Sequence, residues 1–321
     1  MFEPNMRPFR FGLLLEHFTS PAYVKDMVQR AEADGFSTFL IRDHLIEPPF
    51  GDQYAPWITL ATVAQTTTTI RLGTLVTAND FRHPAVLAKE VTTLDQFSNG
   101  RVELGIGAGF FREEFERAGL TFFSNKVRVD RLAESVEVLD RLLQGNSFSY
   151  RGEHYTFDNF RNFPPPVQHP RPPILVAGAG RRVLSIAAKH ADTVALLSSQ
   201  LSGGVLADSA CARSAQHAAE QIGTVRRAAG ERFQSLELSV FASILSTDDR
   251  RSAAIEVARQ RGWDVTDTEI LDMPTMLIGT TDQIVADLQR WRASLGVSYI
   301  VVRDSHFDAA APVVRLLAGS G

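Results

Sequence analysis

The chain has 321 residues, of which 44% are hydrophobic, and this apolar content is enough for a large core. A formal net charge of −4 without basic excess argues against nucleic-acid partners, and no apolar run approaches the roughly 20 residues of a membrane span. The N-terminal residues lack the order of a signal peptide, so we expect a cytoplasmic protein. The single cysteine, Cys211, excludes an internal disulfide framework and has no metal-ligand spacing around it.

Short apolar segments alternate with amphipathic segments from the start of the chain, which predicts βαβ units and a parallel sheet. Helical spacing of apolar residues and the residues at the ends of each segment place the boundaries. In the first half, we predict strands at 9–15, 36–41, 70–76 and 101–107, and helices at 21–34, 56–66, between Pro84 and Gly100, and at 126–144.

The same alternation continues in the second half of the chain. There we predict strands at 172–178, 192–197, 236–245 and 297–305, and helices at 181–189, at 281–296 and at the C-terminus. Eight strands with helices between them favour a closed (β/α)8 TIM barrel over an open doubly wound sheet, because eight is the number that closes. No linker divides the chain, so we expect one domain over 1–321.

Two segments interrupt the repeat and are predicted to be insertions, 148–167 and 198–232. The first is aromatic and ends in three prolines, and the second includes an alanine-rich helix. The sequence leaves two interpretations of the first segment. It could form a wall of a site near the rim of the barrel, or a hairpin that covers the barrel bottom or a helix.

Polar or glycine-rich residues follow five of the predicted strands. In a barrel of this kind, catalytic groups come from the C-terminal ends of the strands, so these residues would line one mouth. They are Asp43-His44, Thr77 to Asp80, Gly105 to Gly109, Ala177 to Arg182, and Arg303 to His306.

Two of these strand ends are glycine loops. In VAGAGRR, small residues let backbone N–H groups approach a ligand where a helix begins, and Arg181 and Arg182 add positive charge, so a phosphate would fit. The loop departs from the dinucleotide pattern, because Val183 stands where the third glycine would be. GIGAG permits close approach of a flat ligand. Either loop could also serve only as a tight turn between strand and helix.

Asp43-His44 is the strongest candidate for proton chemistry, because a histidine titrates near neutral pH. The alternative is a structural pair that caps a loop. His17 is the only other histidine that we place in the mouth. No histidine or carboxylate spacing indicates a metal site, and no GxSxG motif indicates an acyl-transfer serine.

Several ordered blocks of the chain resemble the luciferase-like monooxygenase family, which includes flavin monooxygenases and coenzyme F420-dependent enzymes. The most specific block runs from TTTTIRLGTLVTAND through HPAVLAKEVTTLD to SNGRVELGIGAGFFREEF. AEADGFSTFLIRDHL precedes it, and PPILVAGAGRRVLSIAAKHAD and LIGTTDQIVADL follow. The resemblance implies a TIM barrel that binds a reduced flavin or F420 in its mouth.

The resemblance also implies roles for single residues. His44, oriented by Asp43, would act beside the reactive ring, while Arg42 would point away into an ion pair at the rim. Cofactor contacts would come from three segments: Thr77, Ala78 and Asn79; Gly107, Ala108 and Gly109; and Gly178, Ala179, Gly180 and Arg181, the last of which would hold a phosphate.

The pattern is most similar to the F420-dependent branch, in which a hydride passes between the deazaflavin and a small organic substrate. The alternatives are an FMNH2-dependent monooxygenase supplied by a separate reductase, and a catalytically silent flavin-binding protein. The family also implies a homodimer. A more apolar substrate is indicated by the aromatic residues Phe110, Phe111, Phe122, Phe123, Phe160 and Phe163, although several would be core.

Overall fold

A computed structural model describes residues 7–47, 50–198, 200–202 and 205–320. Its main sheet is a closed parallel barrel, which confirms the predicted (β/α)8 fold. The barrel strands are β1 (Arg10–Leu15), β2 (Thr38–Ile41), β3 (Arg71–Thr74) with its continuation β4 (Thr77–Ala78), β5 (Val102–Gly107), β8 (Ile174–Gly178), β9 (Thr193–Leu196), β12 (Glu237–Phe241) and β15 (Val297–Arg303).

The strands pair in the order β3-β2-β1-β15-β12-β9-β8-β5, and pairing of β3 with β5 closes the ring. Helices lie between successive strands and cover the outside. They are α1 (Pro21–Ala33), α2 (Pro56–Ala64), α3 (Pro84–Phe97), α4 (Arg112–Arg117), α5 (Asn125–Leu142), α6 (Arg181–His190), α8 (Ala215–Ala229), α11 (Thr281–Leu295) and α12 (Phe307–Leu317).

Local sequence explains where these helices begin. Ser20 and Ser124 accept hydrogen bonds from the first turns of α1 and α5, and Thr280 forms a capping box with Gln283 at the start of α11. Gly296 then ends α11 with a φ of 73°, a conformation that glycine adopts without steric cost. None of the described helices is long and apolar enough to cross a membrane.

The aromatic segment 148–167 contains a hairpin of β6 (Phe148–Arg151) and β7 (Thr156–Phe160). Its tip packs on α5, where the Glu134 carboxylate accepts the N–H groups of Glu153, His154 and Tyr155 at 2.9 to 3.2 Å. Of the two interpretations left by the sequence, the structure favours the hairpin that covers a helix. None of its residues is among those that line the cavity in the mouth.

Two further segments interrupt the repeat. After β9, the described residues form β10 (Gln200–Ser202), β11 (Val205–Ala207) and α7 (Ala210–Arg213), whereas the alanine-rich helix of 198–232 is α8, the regular helix before β12. After β12, the chain forms β13 (Ser243–Ser246), α9 (Arg250–Arg261), α10 (Asp267–Leu271) and β14 (Met276–Gly279). One strand was predicted over 236–245, but β13 leaves the barrel to pair with β14. The single domain over 1–321 stays a prediction.

The N-terminal end of the barrel interior is closed by a cluster of ionic side chains, which we call the floor. Arg10 on β1 donates to Glu103 on β5 at 2.8 Å and to Glu237 on β12 at 2.6 Å. Arg71 on β3 lies 3.6 Å from Glu103. Two arginines therefore face two buried glutamates, and above them Leu14, Leu40, Leu175 and Tyr299 fill the interior.

Candidate active site

A cavity of about 1230 Å³ opens at the C-terminal ends of the strands. Every one of the eight strands contributes to its wall, either by its last residues or by the loop that follows. The contributors, in barrel order, are Leu14, Asp43, Leu75, Gly107, Gly178, Leu197, Phe241 and Arg303. The predicted mouth is thus present as one continuous cavity, at the place where barrels of this class hold their active sites.

Glycines of β5 are needed for the approach of the neighbouring strand. A Cβ atom at Gly105 would lie 1.8 Å from the carbonyl oxygen of Thr74, and one at Gly107 would lie 2.8 Å from Val76. Gly107, Ala108 and Gly109 all border the cavity, and Gly109 has a φ of 70°. The loop therefore packs tightly against the neighbouring strand and also borders the cavity with its backbone, so both interpretations from the sequence apply to it.

The segment after β3 reaches the cavity at Leu75, two residues before the predicted Thr77. Leu75, Val76 and Ala78 line the cavity, and the peptide bond between Leu75 and Val76 is cis. Thr77 and Asn79 are buried behind this wall. The Thr77 hydroxyl donates to Thr74, and the Asn79 amide donates to the Tyr155 hydroxyl at 3.2 Å. Only Ala78 of the three predicted residues borders the cavity.

The end of β8 and the start of α6 bring all four predicted phosphate-binding residues, Gly178 to Arg181, to the cavity wall. Gly180 is the N-cap of α6 and has no side chain to accept the first N–H groups of the helix. A Cβ atom at Gly180 would meet nothing within 4 Å. Arg182 also lines the cavity and forms an ion pair with Asp130. Within the described residues, no side chain caps the start of α6, and Arg181 adds positive charge beside it.

His44 lies at the cavity wall in a well-defined orientation. Its Nδ1 atom is 3.2 Å from both carboxylate oxygens of Glu114, and the backbone N–H of Leu45 donates to the same carboxylate. The Phe50 ring stacks on the imidazole with centroids 4.4 Å apart. The Glu114 side chain is 3% exposed, so this carboxylate favours the tautomer with its proton on Nδ1 and leaves Nε2 to act as acceptor.

Asp43, which we expected to orient His44, has a different partner. Its carboxylate accepts from Arg82 at 2.5 Å and from the backbone N–H of Ala78 at 3.2 Å. Burial raises the pKa of Asp43, and the Arg82 charge opposes that rise. Successive residues after β2 point in different directions, so Asp43 anchors the Ala78 segment while Glu114 takes the expected role.

Arg42 takes part in an ion pair, as expected, and also lines the cavity. Its Nε donates to Glu16 at 2.9 Å, and the other oxygen of Glu16 lies 3.1 Å from Nε of Arg303. The Arg42 guanidinium stacks 4.6 Å from the centroid of Phe50, and that of Arg303 stacks 5.0 Å from the centroid of Phe241. We call Arg42, Glu16 and Arg303 the mouth triad.

Some residues expected near the mouth lie elsewhere. His17 is not among the cavity-lining residues and binds Asp304, with its Nδ1 3.0 Å from a carboxylate oxygen. Of the six phenylalanines that indicated an apolar substrate, only Phe110 lines the cavity. Phe160 and Phe163 are 37% and 65% exposed on the outer side, because the hairpin segment covers helices instead of the mouth.

Three contributors to the cavity wall were not predicted from the sequence: Glu114, Phe50 and one face of α8. Glu114 follows Glu113 in a helix of six residues, and no local pattern indicates which of the two carboxylates is buried. The α8 face had a detectable signal, since its polar side chains recur at helical spacing. The α8 residues of the cavity wall include Gln216, His217, Glu220, Gln221, Thr224 and Arg227.

A closed parallel barrel with a large cavity at the C-terminal ends of its strands, and an oriented histidine in the cavity wall, is the arrangement in which TIM-barrel enzymes hold their active sites. The luciferase-like monooxygenase family model matches residues 6–273, and the chain belongs to this family. Of two curated relatives, one is named as a dehydrogenase and the other as a monooxygenase. F420-dependent hydroxymycolic acid dehydrogenase of Mycobacterium tuberculosis is 33% identical over 59% of this chain, and FMNH2-dependent dimethylsulfone monooxygenase of Pseudomonas fluorescens is 28% identical over 70%.

The matched parts span 52% of the mycobacterial enzyme and 66% of the Pseudomonas enzyme. Among solved structures, the coenzyme F420-dependent tetrahydromethanopterin reductase of Methanopyrus kandleri superposes with a TM-score of 0.75 at 19% identity. That superposition covers 97% of this chain and 98% of the reductase. Both the family and the barrel fold expected from the sequence are confirmed, and the family contains F420-dependent and FMNH2-dependent members.

Proposed function

We propose that this protein is an oxidoreductase that binds coenzyme F420 in the mouth of the barrel and transfers a hydride between F420 and a small organic substrate. The cavity of about 1230 Å³ exceeds the roughly 300 to 1,000 Å³ of most single-ligand sites, which supports simultaneous binding of a cofactor and a substrate. When bound, the cofactor would supply the redox chemistry, and the protein would supply position and electrostatics.

The residues at the end of β8 fit the phosphate of such a cofactor. The first N–H groups of α6 have no capping side chain, and Gly178, Ala179 and Gly180 leave room for close approach. Arg181 forms no ion pair within the described residues. These residues would hold the phosphate, while the backbone of Ala108 and Gly109 would border the flat ring system.

The observation that carries the choice of F420 is the long polar groove beside this helix end. From Gln216 to Arg227, one face of α8 lines the cavity for about 17 Å, at 1.5 Å per residue. Arg181, Arg182 and Arg227 border the groove, where Arg182 is paired with Asp130 and Glu220 is an acidic side chain of the same α8 face. F420 continues beyond its phosphate into an acidic tail, whereas FMN ends at the phosphate. The length of this groove, with Arg227 near its far end, supports a ligand that continues beyond its phosphate.

His44 is the residue that we assign to proton chemistry at the reacting end of the substrate. Glu114 holds the imidazole by Nδ1, and Phe50 covers one ring face, so Nε2 is the nitrogen that can exchange a proton with a ligand. Asp43 supports the neighbouring wall through Ala78 and has no contact with the imidazole in the described hydrogen bonds. We therefore propose Glu114, not Asp43, as the positioning residue.

A second candidate function is an FMNH2-dependent monooxygenase, supplied by a separate reductase. The match to dimethylsulfone monooxygenase covers 70% of this chain, a longer stretch than the 59% matched to the mycobacterial dehydrogenase. The helix end at α6 would hold the FMN phosphate equally well. The homodimer, the cytoplasmic location and the reductase stay predictions from the sequence.

The first experiment is a fluorescence titration of the purified protein with F420 and, separately, with FMN. We expect micromolar or tighter binding of F420 and at least tenfold weaker binding of FMN, a gap of about 1.4 kcal/mol. The reverse preference would establish the monooxygenase candidate. Failure of both cofactors to bind would contradict both functions.

Two arginine variants sharpen the titration. Arg181→Gln should weaken both cofactors, because both carry a phosphate. Arg227→Gln should weaken F420 by about two- to fivefold, the value of one exposed charge contact, and leave FMN unchanged. Arg290→Gln is the control, because Arg290 pairs with Asp272 on an exposed surface and does not line the cavity. Equal effects of Arg227→Gln on both cofactors would remove the argument for F420.

A further inference from the structure

The mouth triad lies on the side of the cavity opposite the proposed phosphate site. Around the barrel, β1 is four strands from β8 in either direction. Glu16 follows β1, while Arg42 and Arg303 stand at the ends of the two neighbours of β1, which are β2 and β15. A cofactor held by its phosphate at β8 would reach toward the centre of the mouth, and the triad would face whatever occupies the remaining side.

The triad has a surplus of positive charge. Within the described residues, Glu16 is the only carboxylate paired with either arginine, at 2.9 Å from Nε of Arg42 and 3.1 Å from Nε of Arg303. In the described part of the chain, Nη1 of Arg42 and both Nη1 and Nη2 of Arg303 have no hydrogen-bond partner. Arg42 and Arg303 both line the cavity. The unpaired donors belong to side chains that border the substrate space.

Packing holds these donors in place. The Arg42 side chain is 15% exposed and its guanidinium stacks on Phe50, the same ring that stacks on His44. Arg303 stacks on Phe241 at the end of β12. Because Phe50 contacts both Arg42 and His44, a ligand held by the triad would extend directly past the histidine. Guanidinium groups fixed in this way match the planar oxygens of a carboxylate or the tetrahedral oxygens of a sulfonate or phosphate.

A second arginine pair adds to the charge on this side. Arg213, which lines the cavity, and Arg261 both pair with the single carboxylate of Asp208. Burial lowers the pKa of Arg42 in spite of Glu16, and the charge of Arg303 lowers it further, as expected where cations outnumber anions. Buried cations without matched anions carry a free-energy cost, which a bound anion would remove.

We infer that the mouth triad is an oxyanion subsite and that the substrate carries a carboxylate, sulfonate or phosphate group, bound by Arg42 and Arg303 with its reacting carbon toward His44. This inference deepens the proposed function, because it names the substrate class of the same cavity. The apolar surroundings, with Phe50, Phe110 and Phe241, fit a hydrocarbon portion between the anionic group and the reacting atom.

The test uses six-carbon probes that differ only in the head group: hexanoate, hexane-1-sulfonate, hexyl phosphate and hexan-1-ol. Binding to the purified protein is measured by calorimetric titration without cofactor. We expect at least one of the three anions to bind about tenfold or more tightly than the alcohol, the effect of one charge-assisted hydrogen bond. The order among the anions identifies the group. Equal binding of all four probes would overturn the inference.

Variants locate the bound anion. Arg303→Met, at a side chain that is 37% exposed, should remove the preference for the anion, and Arg303→Lys should restore part of it. Arg42→Met should act in the same way. Arg42 is the more buried of the two arginines, so if Arg42→Met does not fold, Arg303→Met still tests the inference. Arg290→Gln is the control outside the cavity, and Arg181→Gln tests the opposite wall. If the preference followed Arg181 and survived Arg303→Met, the anion would occupy the phosphate site and the inference would be wrong. The probe titration contains no cofactor, so its result can be interpreted even if the protein does not bind F420.

Discussion

The floor and the mouth of the barrel both contain arginine and glutamate side chains, but they differ in charge balance. In the floor, Arg10 and Arg71 face the buried carboxylates Glu103 and Glu237. In the mouth, one carboxylate, Glu16, serves two arginines. A cluster that only stabilises the fold has matched charges, whereas a surplus facing a cavity is available for a ligand.

The pKa shifts of the two clusters have opposite directions. Burial alone would lower the pKa of Arg10, but Glu103 and Glu237 outweigh it and raise the pKa above its ordinary value. Burial lowers the pKa of Arg42, and one shared carboxylate is insufficient to reverse the shift.

The largest expected effect is in the floor. Arg10→Met would leave Glu237 without its arginine, and Glu103 would keep the longer contact to Arg71 and the hydrogen bond from Thr38. We expect the free energy of unfolding to fall by about 3 to 5 kcal/mol, the cost of breaking a buried pair. Chemical denaturation monitored by circular dichroism measures it. F420 affinity should be unchanged, since the floor lies at the opposite end of the barrel.

Arg30→Met is the matched control for Arg10→Met. Arg30 pairs with Asp308 on the surface, and the loss should stay below about 1 kcal/mol. If both variants lost the same stability, the floor would be no more than another surface ion pair, and the contrast between floor and mouth would disappear.

The fold could be predicted largely from the sequence, because its signals are local. Alternating apolar strands and amphipathic helices indicated eight βα units, and each barrel strand is found within or close to its predicted range. The exception is 236–245, where the barrel strand β12 ends at Phe241 and the following strand β13 pairs with β14. The apolar pattern continues through Ala242, so hydrophobicity alone gives no sign that the neighbour changes.

The candidate site could be predicted only in part. The glycine loops and His44 were found, because strand ends meet at one edge of a barrel and their residue types are distinctive. The partners were not found: Glu114 is 70 residues from His44, and Arg82 is 39 residues from Asp43. Which side chains meet across loops depends on the tertiary packing, and no spacing rule in one sequence contains that information.

A smaller effect is expected at the ion pair of Asp43 with Arg82, whose Nε also lies 3.2 Å from Glu90. Arg82→Gln would leave the Asp43 carboxylate buried without its cation, and we expect a loss of about 3 kcal/mol in unfolding free energy at neutral pH. Burial already raises the pKa of Asp43 in the folded state, and removal of Arg82 raises it further. Denaturation at about pH 7.5 and about pH 5 measures the difference.

The sign of the pH dependence follows from the raised pKa. A carboxyl group with a higher pKa in the folded state favours folding while it is protonated, and this contribution is lost as the pH rises through the folded pKa. The deficit of Arg82→Gln relative to the wild type should therefore shrink as the pH falls. A deficit that is constant or grows at low pH would show that Arg82 acts by packing, not by its charge on Asp43.

The smallest effect is expected from Glu114→Gln, which separates charge from shape at the positioning contact. Glutamine keeps an oxygen to accept the Leu45 N–H, so the loss of stability should be about 1 kcal/mol. The tautomer of His44 should change, because the carboxylate that favours a proton on Nδ1 is gone. Nitrogen-15 NMR of the histidine-labelled protein, with the His44 signals assigned by His44→Gln, reports the position of the proton. Glu114→Asp, which keeps the charge, should retain the Nδ1-protonated form, whereas an unchanged His44 spectrum in Glu114→Gln would show that stacking on Phe50 alone orients the ring.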